Sequence, residues 1–444
     1  MRIKKTIKKR FEKNPTGKPV TYFAHIPKTG GTSFTALLDS FFSVNEIFPE
    51  KLWSKVKDID ATQTVSYKLI RGHFGGGGVK ILTKQPCQYF TMLRKPESLT
   101  HSTYQFVKRK VNIMFHKLVI DHNMSFLDFL KHPDTKKLST NRMTRYLSFD
   151  FIEDSSTQSV FLNDETIRYL AKIIDSKGTK EVGIKDDQRL IRAQNFVNQC
   201  AWFGLLERFD DSLRLLCYQM KWPPIGQTQH LNAYKKGHQI TAQTSTLLNK
   251  INQHDLLLYN FAEVLFNQRY QTMLSDLEQY RASKLDNEDV LLDRYYQANC
   301  TIQPLTNITY RFDQALRGTG WHRRQLTKQK ADYYRWTGPN CISTIDFWLD
   351  SQDYQLQLHI NNAINNSVLD HLKLTINGKP IVWTTESSSV NRILYSNVTS
   401  DLIKKNGLAR LGIVVNQVMS HKQAYGSKDE RIVGIAVHWI KFMA

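Results

Sequence analysis

The residues of this chain best suited to chemistry lie in His25-Ile26-Pro27-Lys28-Thr29-Gly30-Gly31-Thr32-Ser33. Gly30 and Gly31 permit a tight turn, Lys28 supplies a mobile positive charge, and Thr29, Thr32 and Ser33 supply hydroxyl donors. Placed ahead of a helix, such a turn aims unpaired backbone N–H groups and the positive end of the helix dipole at one point, where a phosphate can sit. In the common nucleotide-hydrolysing loop the lysine follows the last glycine and precedes Ser or Thr. Here Lys28 comes before both glycines, which disfavours ordinary ATP or GTP hydrolysis. A second candidate pair is Arg94 and Ser102: a planar guanidinium fork that can bind phosphate oxygens bidentately, and a hydroxyl that can donate from the following helix. The third candidate is His73 in Arg71-Gly72-His73-Phe74. Its ordinary pKa suits it to take a proton from a hydroxyl nucleophile near neutral pH. His25 competes for that role beside the cradle, and Arg71 is a candidate for orienting an anion.

Alternating strands and helices would have to position these groups. Val20–Ala24 reads as a buried strand leading into the cradle. Phe34, Leu37, Leu38, Phe41 and Phe42 follow at the spacing of an amphipathic helix. Residues 65–70 read as a second strand, and the four glycines at 75–78 as a pliable loop at its end, where ligands bind in α/β sheets. Cys87–Leu93 is a third strand, and Pro96 is placed to open a helix carrying Ser102, Tyr104 and Phe106. Residues 124–147 read as helical. Residues 201–206 form a fourth strand, with Asp210 or Asp211 capping the next helix. A long helical region covers 252–281. This alternation predicts a mostly parallel sheet covered on both faces.

From residue 282 the composition turns polar and acidic, which reads as a linker or linking helix. Beyond it the period changes to two: Tyr354, Leu356, Leu358 and Ile360 alternate, and Leu372, Leu374 and Ile376 precede Asn377-Gly378, a strong hairpin signal. Short strands with turns between them predict a β-sandwich. The expected division is a basic arm at 1–17, an α/β domain at 18–281, a linker at 282–300 and an all-β domain at 301–444. Trp321, Trp336, Trp348 and Trp383 are either core residues of that last domain or sugar-stacking faces.

Composition narrows the partners. The 444 residues carry 61 Lys+Arg against 40 Asp+Glu, a net charge of +21, which favours anionic ligands or surfaces. No zinc-finger or RNP-type signature points to nucleic acid. No apolar run is long enough to span a bilayer, and no signal-peptide core is evident. The expected location is therefore the cytoplasm, with peripheral contact at the inner membrane face through the basic arm. Cys87, Cys200, Cys217, Cys300 and Cys341 are scattered without metal-ligand spacing and read as reduced. Oligomeric state leaves no pattern.

The order Pro27-Lys28-Thr29-Gly30-Gly31-Thr32-Ser33 resembles the loop of sulfotransferases that holds the 5′-phosphosulfate of 3′-phosphoadenosine 5′-phosphosulfate (PAPS). The likeness is to the carbohydrate sulfotransferases, heparan-sulfate 2-O-sulfotransferase and its bacterial relatives, and covers about residues 18–275. Arg94 and Ser102 match the family's pair for the 3′-phosphate, and Arg71-Gly72-His73-Phe74 resembles its Gly-His segment, which supplies the catalytic base. His25 corresponds to a structural histidine of the loop. Asn141-Arg142-Met143-Thr144-Arg145-Tyr146-Leu147 is similar to a family segment near substrate or nucleotide, which makes Arg145 a substrate-binding candidate. Residues 203–210 and His230-Leu231-Asn232 are weaker matches. The resemblance implies a P-loop-like sheet, PAPS as co-substrate, a glycan or glycoconjugate hydroxyl as acceptor, and transfer without a required metal. Lys28 would stabilise the leaving phosphate. Two alternatives stay open: an ATP-dependent kinase-like transferase, and a non-catalytic glycan-binding or assembly protein.

Overall fold

A computed structural model describes residues 19–56, 67–83, 85–149, 186–226, 241–329 and 331–444. The basic arm and His230-Leu231-Asn232 lie outside the described residues. The chain divides into two compact units: Met1–Thr35, Asn45–Leu215 and Asn232–Met273 form the first, and Ala36–Val44, Leu216–Leu231 and Leu274–Ala444 the second. Residues 36–44 and 216–231 thus group with the C-terminal unit, although they interrupt the sequence of the first.

The first unit is built on four parallel strands: β1 (Val20–Ala24), β2 (Leu69–Gly72), β3 (Cys87–Leu93) and β4 (Trp202–Leu205), in the order β2-β1-β3-β4. Strand β1 is buried along its whole length because it pairs on both sides. The chain steps from β1 to β2 on one side, then crosses back to β3 on the other. That reversal leaves a crevice at the carboxyl ends of β1 and β3, the place where open α/β sheets bind ligands. Helix α1 (Gly31–Leu38) follows β1, α2 (Val79–Leu82) follows the glycine run, and α3 (Pro96–Arg109) follows β3 with Pro96 in its first turn. Phe34 of α1 stacks on Trp202 of β4 at 4.5 Å between ring centroids and seats the helix on the sheet, whereas Phe41 and Phe42, read as part of the same helical stripe, lie beyond its end at Leu38.

Two expectations need correction. The helical stretch at 124–147 is broken into Phe126–Lys131, Pro133–Lys136 and α4 (Arg142–Leu147). Pro133 cannot continue the helix before it, and Asn141 takes a left-handed backbone at φ 43°. The second strand begins at Leu69 and runs through Arg71 and Gly72, which places Arg71 inside the sheet opposite Phe23. Helices α5 (Asp186–Gln199), α6 (Phe209–Met220), α7 (Ala242–Ile251) and α8 (Gln253–Leu277) complete this part of the chain.

In the second unit, α9 (Glu288–Asn299) occupies most of the expected linker. Its Tyr296 is fully buried beside Trp348 and Leu408, and its Asp293 receives both ends of the Arg410 guanidinium (2.7 and 2.8 Å). Two larger antiparallel sheets follow. One holds β5 (Ile342–Trp348), β7 (Lys373–Ile376), β8 (Lys379–Ile381) and β9 (Leu408–Val414), in the order β8-β7-β9-β5. The other is centred on β6 (Tyr354–Ala363) and β10 (Ile435–Met443). Leu356, Leu358 and Ile360 of β6 share one core with Leu374, Ile376, Leu411 and Ile413 of the first sheet. Asn377 and Gly378 both have positive φ (51° and 85°) in the tight hairpin between β7 and β8, as their types require. Trp336 and Trp348 are buried, and the indole N–H groups of Trp321 and Trp383 donate to the Thr344 and Leu372 carbonyls. Of the two readings of these tryptophans, the structure places them in and around the core.

Candidate functional site

The carboxyl ends of the parallel strands are held in line by short bonds. The His25 N–H donates to the Gly72 carbonyl (3.1 Å), and the Thr91 hydroxyl donates to the Ala24 carbonyl (3.0 Å). The cradle therefore opens beside the segments that carry His73 and Arg94. Within it the backbone turns left-handed at Lys28 (φ 76°) and Gly30 (φ 80°). Thr29 is buried, and its hydroxyl donates back to the Ile26 carbonyl (2.9 Å), so it closes the loop. Thr32 is exposed and Ser33 half-buried in the first turn of α1. The glycines are required by close approach. A Cβ on Gly31 would fall 2.0 Å from His25 Nε2, and one on Gly30 would fall 2.5 Å from a Leu206 methyl.

Arg94 reaches back across this loop and donates Nη1 to the Lys28 carbonyl (2.9 Å). The next residue is fixed too: the Lys95 N–H donates to Glu207 Oε1 (2.9 Å), while Tyr259 Oη donates to Glu207 Oε2 (3.0 Å). Glu207 thus sets the turn that carries Arg94. Ser102 is half-buried on α3, and Phe106 and Arg109 follow at the four- and three-residue steps of one helix face. The Lys28 ammonium lies over the Phe106 ring, 4.4 Å from its centroid. Burial, then the nearby Arg109, Arg94 and Arg142, push the Lys28 pKa down to about 8. The positive charge gathered around this loop makes it a favourable place for an anion.

His73 is held from two sides. Its N–H donates to the Lys51 carbonyl (2.8 Å), and its Nδ1 lies 2.7 Å from the His25 carbonyl oxygen. A carbonyl only accepts, so Nδ1 carries the proton and Nε2 keeps its lone pair. Burial lowers the His73 pKa below its usual value; the bond to His25 opposes this, and Arg142 and Lys51 add to it. The His25 ring lies tilted beside it at 4.4 Å between centroids, and its pKa is pushed well below the usual value by burial and then by His73, Lys51 and Lys28. Both imidazoles are neutral at pH 7.

The remaining candidates point elsewhere. Arg71 is buried and donates to the Phe48 carbonyl (2.6 Å). Arg145 donates to the Lys137 carbonyl (3.0 Å). Its segment is tied to α8 by reciprocal caps: Asp255 accepts from the Met143 and Thr144 N–H groups (2.9 and 2.7 Å), and Asn141 Oδ1 accepts from those of His254 and Asp255 (3.0 and 3.2 Å). Arg109 was legible in principle from its spacing to Ser102. Asp255 left no local signal, because its partners are over a hundred residues away in the chain.

The glycine run after His73 is a packing device, not a pliable loop. Gly76 donates to the Tyr146 carbonyl (2.9 Å) and Gly77 to that of Phe149 (2.7 Å). A Cβ on Gly76 would lie 2.0 Å from the Leu147 carbonyl oxygen, a backbone atom with no rotamer to escape through. Gly76→Ala is expected to destabilise the protein by about 3 kcal/mol through overpacking. Thermal unfolding of this variant beside wild type measures it, and equal midpoints would refute the close approach.

Among the described residues, no group of three His, Cys, Asp or Glu side chains is placed to hold a metal ion, and no helix is long and apolar enough to cross a membrane. No family model and no curated protein matches the chain. Among solved structures, a family GH115 4-O-methyl-alpha-glucuronidase with specificity for decorated arabinogalactans aligns at 9% identity and a TM-score of 0.20, covering 88% of this chain. The chain spans 48% of that structure's length, and a likeness of this degree carries no argument about fold or activity.

Proposed function

We propose that the chain is a PAPS-dependent sulfotransferase that moves a sulfuryl group to a hydroxyl of a glycan or glycoconjugate. The observation that carries this reading is the convergence of Lys28, Arg94 and a neutral His73 at the carboxyl edge of the parallel sheet, with the Arg94 fork on the Lys28 carbonyl. Two features support a phosphosulfate there: Gly30 and Gly31 leave no room for side chains, and the positive charge around Lys28 favours an anionic ligand.

Lys28, the loop to Ser33 and the first turn of α1 would hold the 5′-phosphosulfate. Arg94 and Ser102 would hold the 3′-phosphate, and His73 Nε2 would take the acceptor proton. The co-substrate supplies an activated sulfuryl group; the chain supplies position, charge and the base. The transferred group bears less charge than a phosphoryl group, so the proposal includes no metal requirement. A P-loop-like core, a β-sandwich for the second unit and a cytoplasmic location with peripheral contact at an anionic membrane face belong to the same reading. The last rests on the basic arm.

Titration with 3′-phosphoadenosine 5′-phosphate (PAP), ATP and ADP without added metal tests it. PAP is expected to bind at least about tenfold more tightly than ATP. Arg94→Ala should remove that preference, since a charge-assisted bond contributes roughly 1.5–3 kcal/mol. Equal binding of ATP and PAP would refute the reading and favour a kinase-like transferase.

A further inference from the structure

Arg142 stands in the site although nothing in the preceding assignment uses it. It opens α4, and that short helix is pinned from three directions. Asp255 of α8 caps its first turn through Met143 and Thr144. Tyr146, one turn on, donates to the carbonyl of Gly72 (3.2 Å), the residue before His73, and its own carbonyl accepts from Gly76 (2.9 Å). Arg142 itself donates Nη1 to Thr103 Oγ1 (2.8 Å), beside Ser102 on α3. The guanidinium is therefore tethered between the His73 segment and the α3 face over which Lys28 lies.

Among the described residues it is also a cation without a matching anion: Asp255, the carboxylate that acts on it, has both oxygens on backbone N–H groups, and no other carboxylate pairs with Arg142. A half-buried, unpaired charge of this kind favours an anionic ligand. Its field reaches both Lys28 and His73, whose affinity for protons it lowers. In the reaction proposed above, the group that would lie between Lys28 and His73 is the moving sulfuryl group.

We propose that Arg142 is a direct ligand of the sulfuryl group, binding its non-bridging oxygens between Lys28 and His73. This rests on the sulfotransferase reading. In the step it serves, the acceptor hydroxyl gives its proton to His73 Nε2 and its oxygen forms a bond to sulfur. The bond from sulfur to the bridging oxygen breaks, and its electron pair stays on the departing phosphate beside Lys28. Arg142 holds the sulfuryl oxygens so that the attacking oxygen, the sulfur and the bridging oxygen stay in line, and it neither gains nor loses a proton.

The test compares PAPS with PAP, which lacks the sulfuryl group, by calorimetric titration of the full chain and its variants. Arg142→Gln should weaken PAPS binding roughly ten- to a hundredfold, the size of a charge-assisted contact, and leave PAP within about threefold. Arg142→Lys should recover part of the loss, because charge returns without the planar fork. Thr103→Val, which frees the tether and keeps the guanidinium, should give a smaller PAPS-selective loss and serves if Arg142→Gln melts early. Equal loss for PAPS and PAP would make Arg142 a nucleotide ligand, and no loss for either would make it structural; both overturn the proposal. Wild-type protein that does not prefer PAP to ATP is a different outcome: it removes the sulfotransferase reading, and the role of Arg142 with it.

Discussion

His73→Ala is expected to lower the rate of sulfuryl transfer by about 10²–10⁴ and to leave PAP affinity within about threefold. The split follows from what each part of the ring touches. Nδ1 is committed to the His25 carbonyl at 2.7 Å, which fixes the tautomer and leaves Nε2 as the basic nitrogen. The proposed nucleotide contacts come from Lys28, Ser33, Arg94 and Ser102, so removing the imidazole takes away the base and leaves the nucleotide pocket intact. Asparagine is a useful second variant, because its amide can still donate to the His25 carbonyl but cannot take a proton. Single-turnover transfer and PAP titration on the same preparations make the comparison. A variant with normal turnover would remove His73 from the mechanism, and His25 would then be tested as the base.

The second large effect is expected at Lys28. In the proposed reaction its charge would face the bridging oxygen, where negative charge grows as the S–O bond breaks, and a preorganised donor there is worth roughly 10²–10³ in rate. Lys28 sits at φ 76°, where any residue with a Cβ meets the same clash, so alanine removes the charge without new backbone strain. Lys28→Asn removes the charge as well and tolerates the left-handed region, which guards the comparison against a loss of folding. The rate should still fall by about 10²–10³, with melting close to wild type. The same residue limits the pH range. His73 must be neutral to act, and burial lowers its pKa, so kcat/KM should rise with pH through a midpoint below 6.5. Lys28 must be charged, and its pKa is pushed down to about 8 by burial and by Arg109, Arg94 and Arg142, so kcat/KM should fall above about pH 8. An alkaline limb near the ordinary lysine value would contradict the crowding of cations around the cradle.

Much of the architecture was legible because its causes are local. An apolar run, a turn with two glycines and a stripe at helical spacing specify strand, cradle and helix whatever lies around them. Cys87–Leu93 followed by Pro96 specifies a strand and a helix start for the same reason, and Asn377-Gly378 its hairpin. The failures are equally physical. The glycines at 75–78 look pliable by composition, since a missing side chain signals freedom when no neighbour is known. Beside Leu147 and Phe149 the same absence signals contact. Residues 124–147 have helical content, but Pro133 and the left-handed Asn141 interrupt it, and the reciprocal caps with Asn252 and Asp255 stabilise the break.

What the amino-acid order determined by itself is the inventory: a lysine and two glycines in a turn between strand and helix, a guanidinium and a hydroxyl after the third strand, and a histidine at the end of the second. Tertiary structure decided how these groups act. The tautomer of His73 depends on a carbonyl 48 residues away, the aim of Arg94 on a carbonyl 66 residues away, and the setting of Arg142 on Asp255 and Thr103, from two other helices. Arg71 and Arg145, equally cationic in the sequence, are turned to the Phe48 and Lys137 carbonyls. Residue type and spacing carry charge and local conformation along the chain. Proton position and the aim of a side chain depend on which backbone oxygen lies opposite, and only the parallel pairing of the strands brings those oxygens to the same edge.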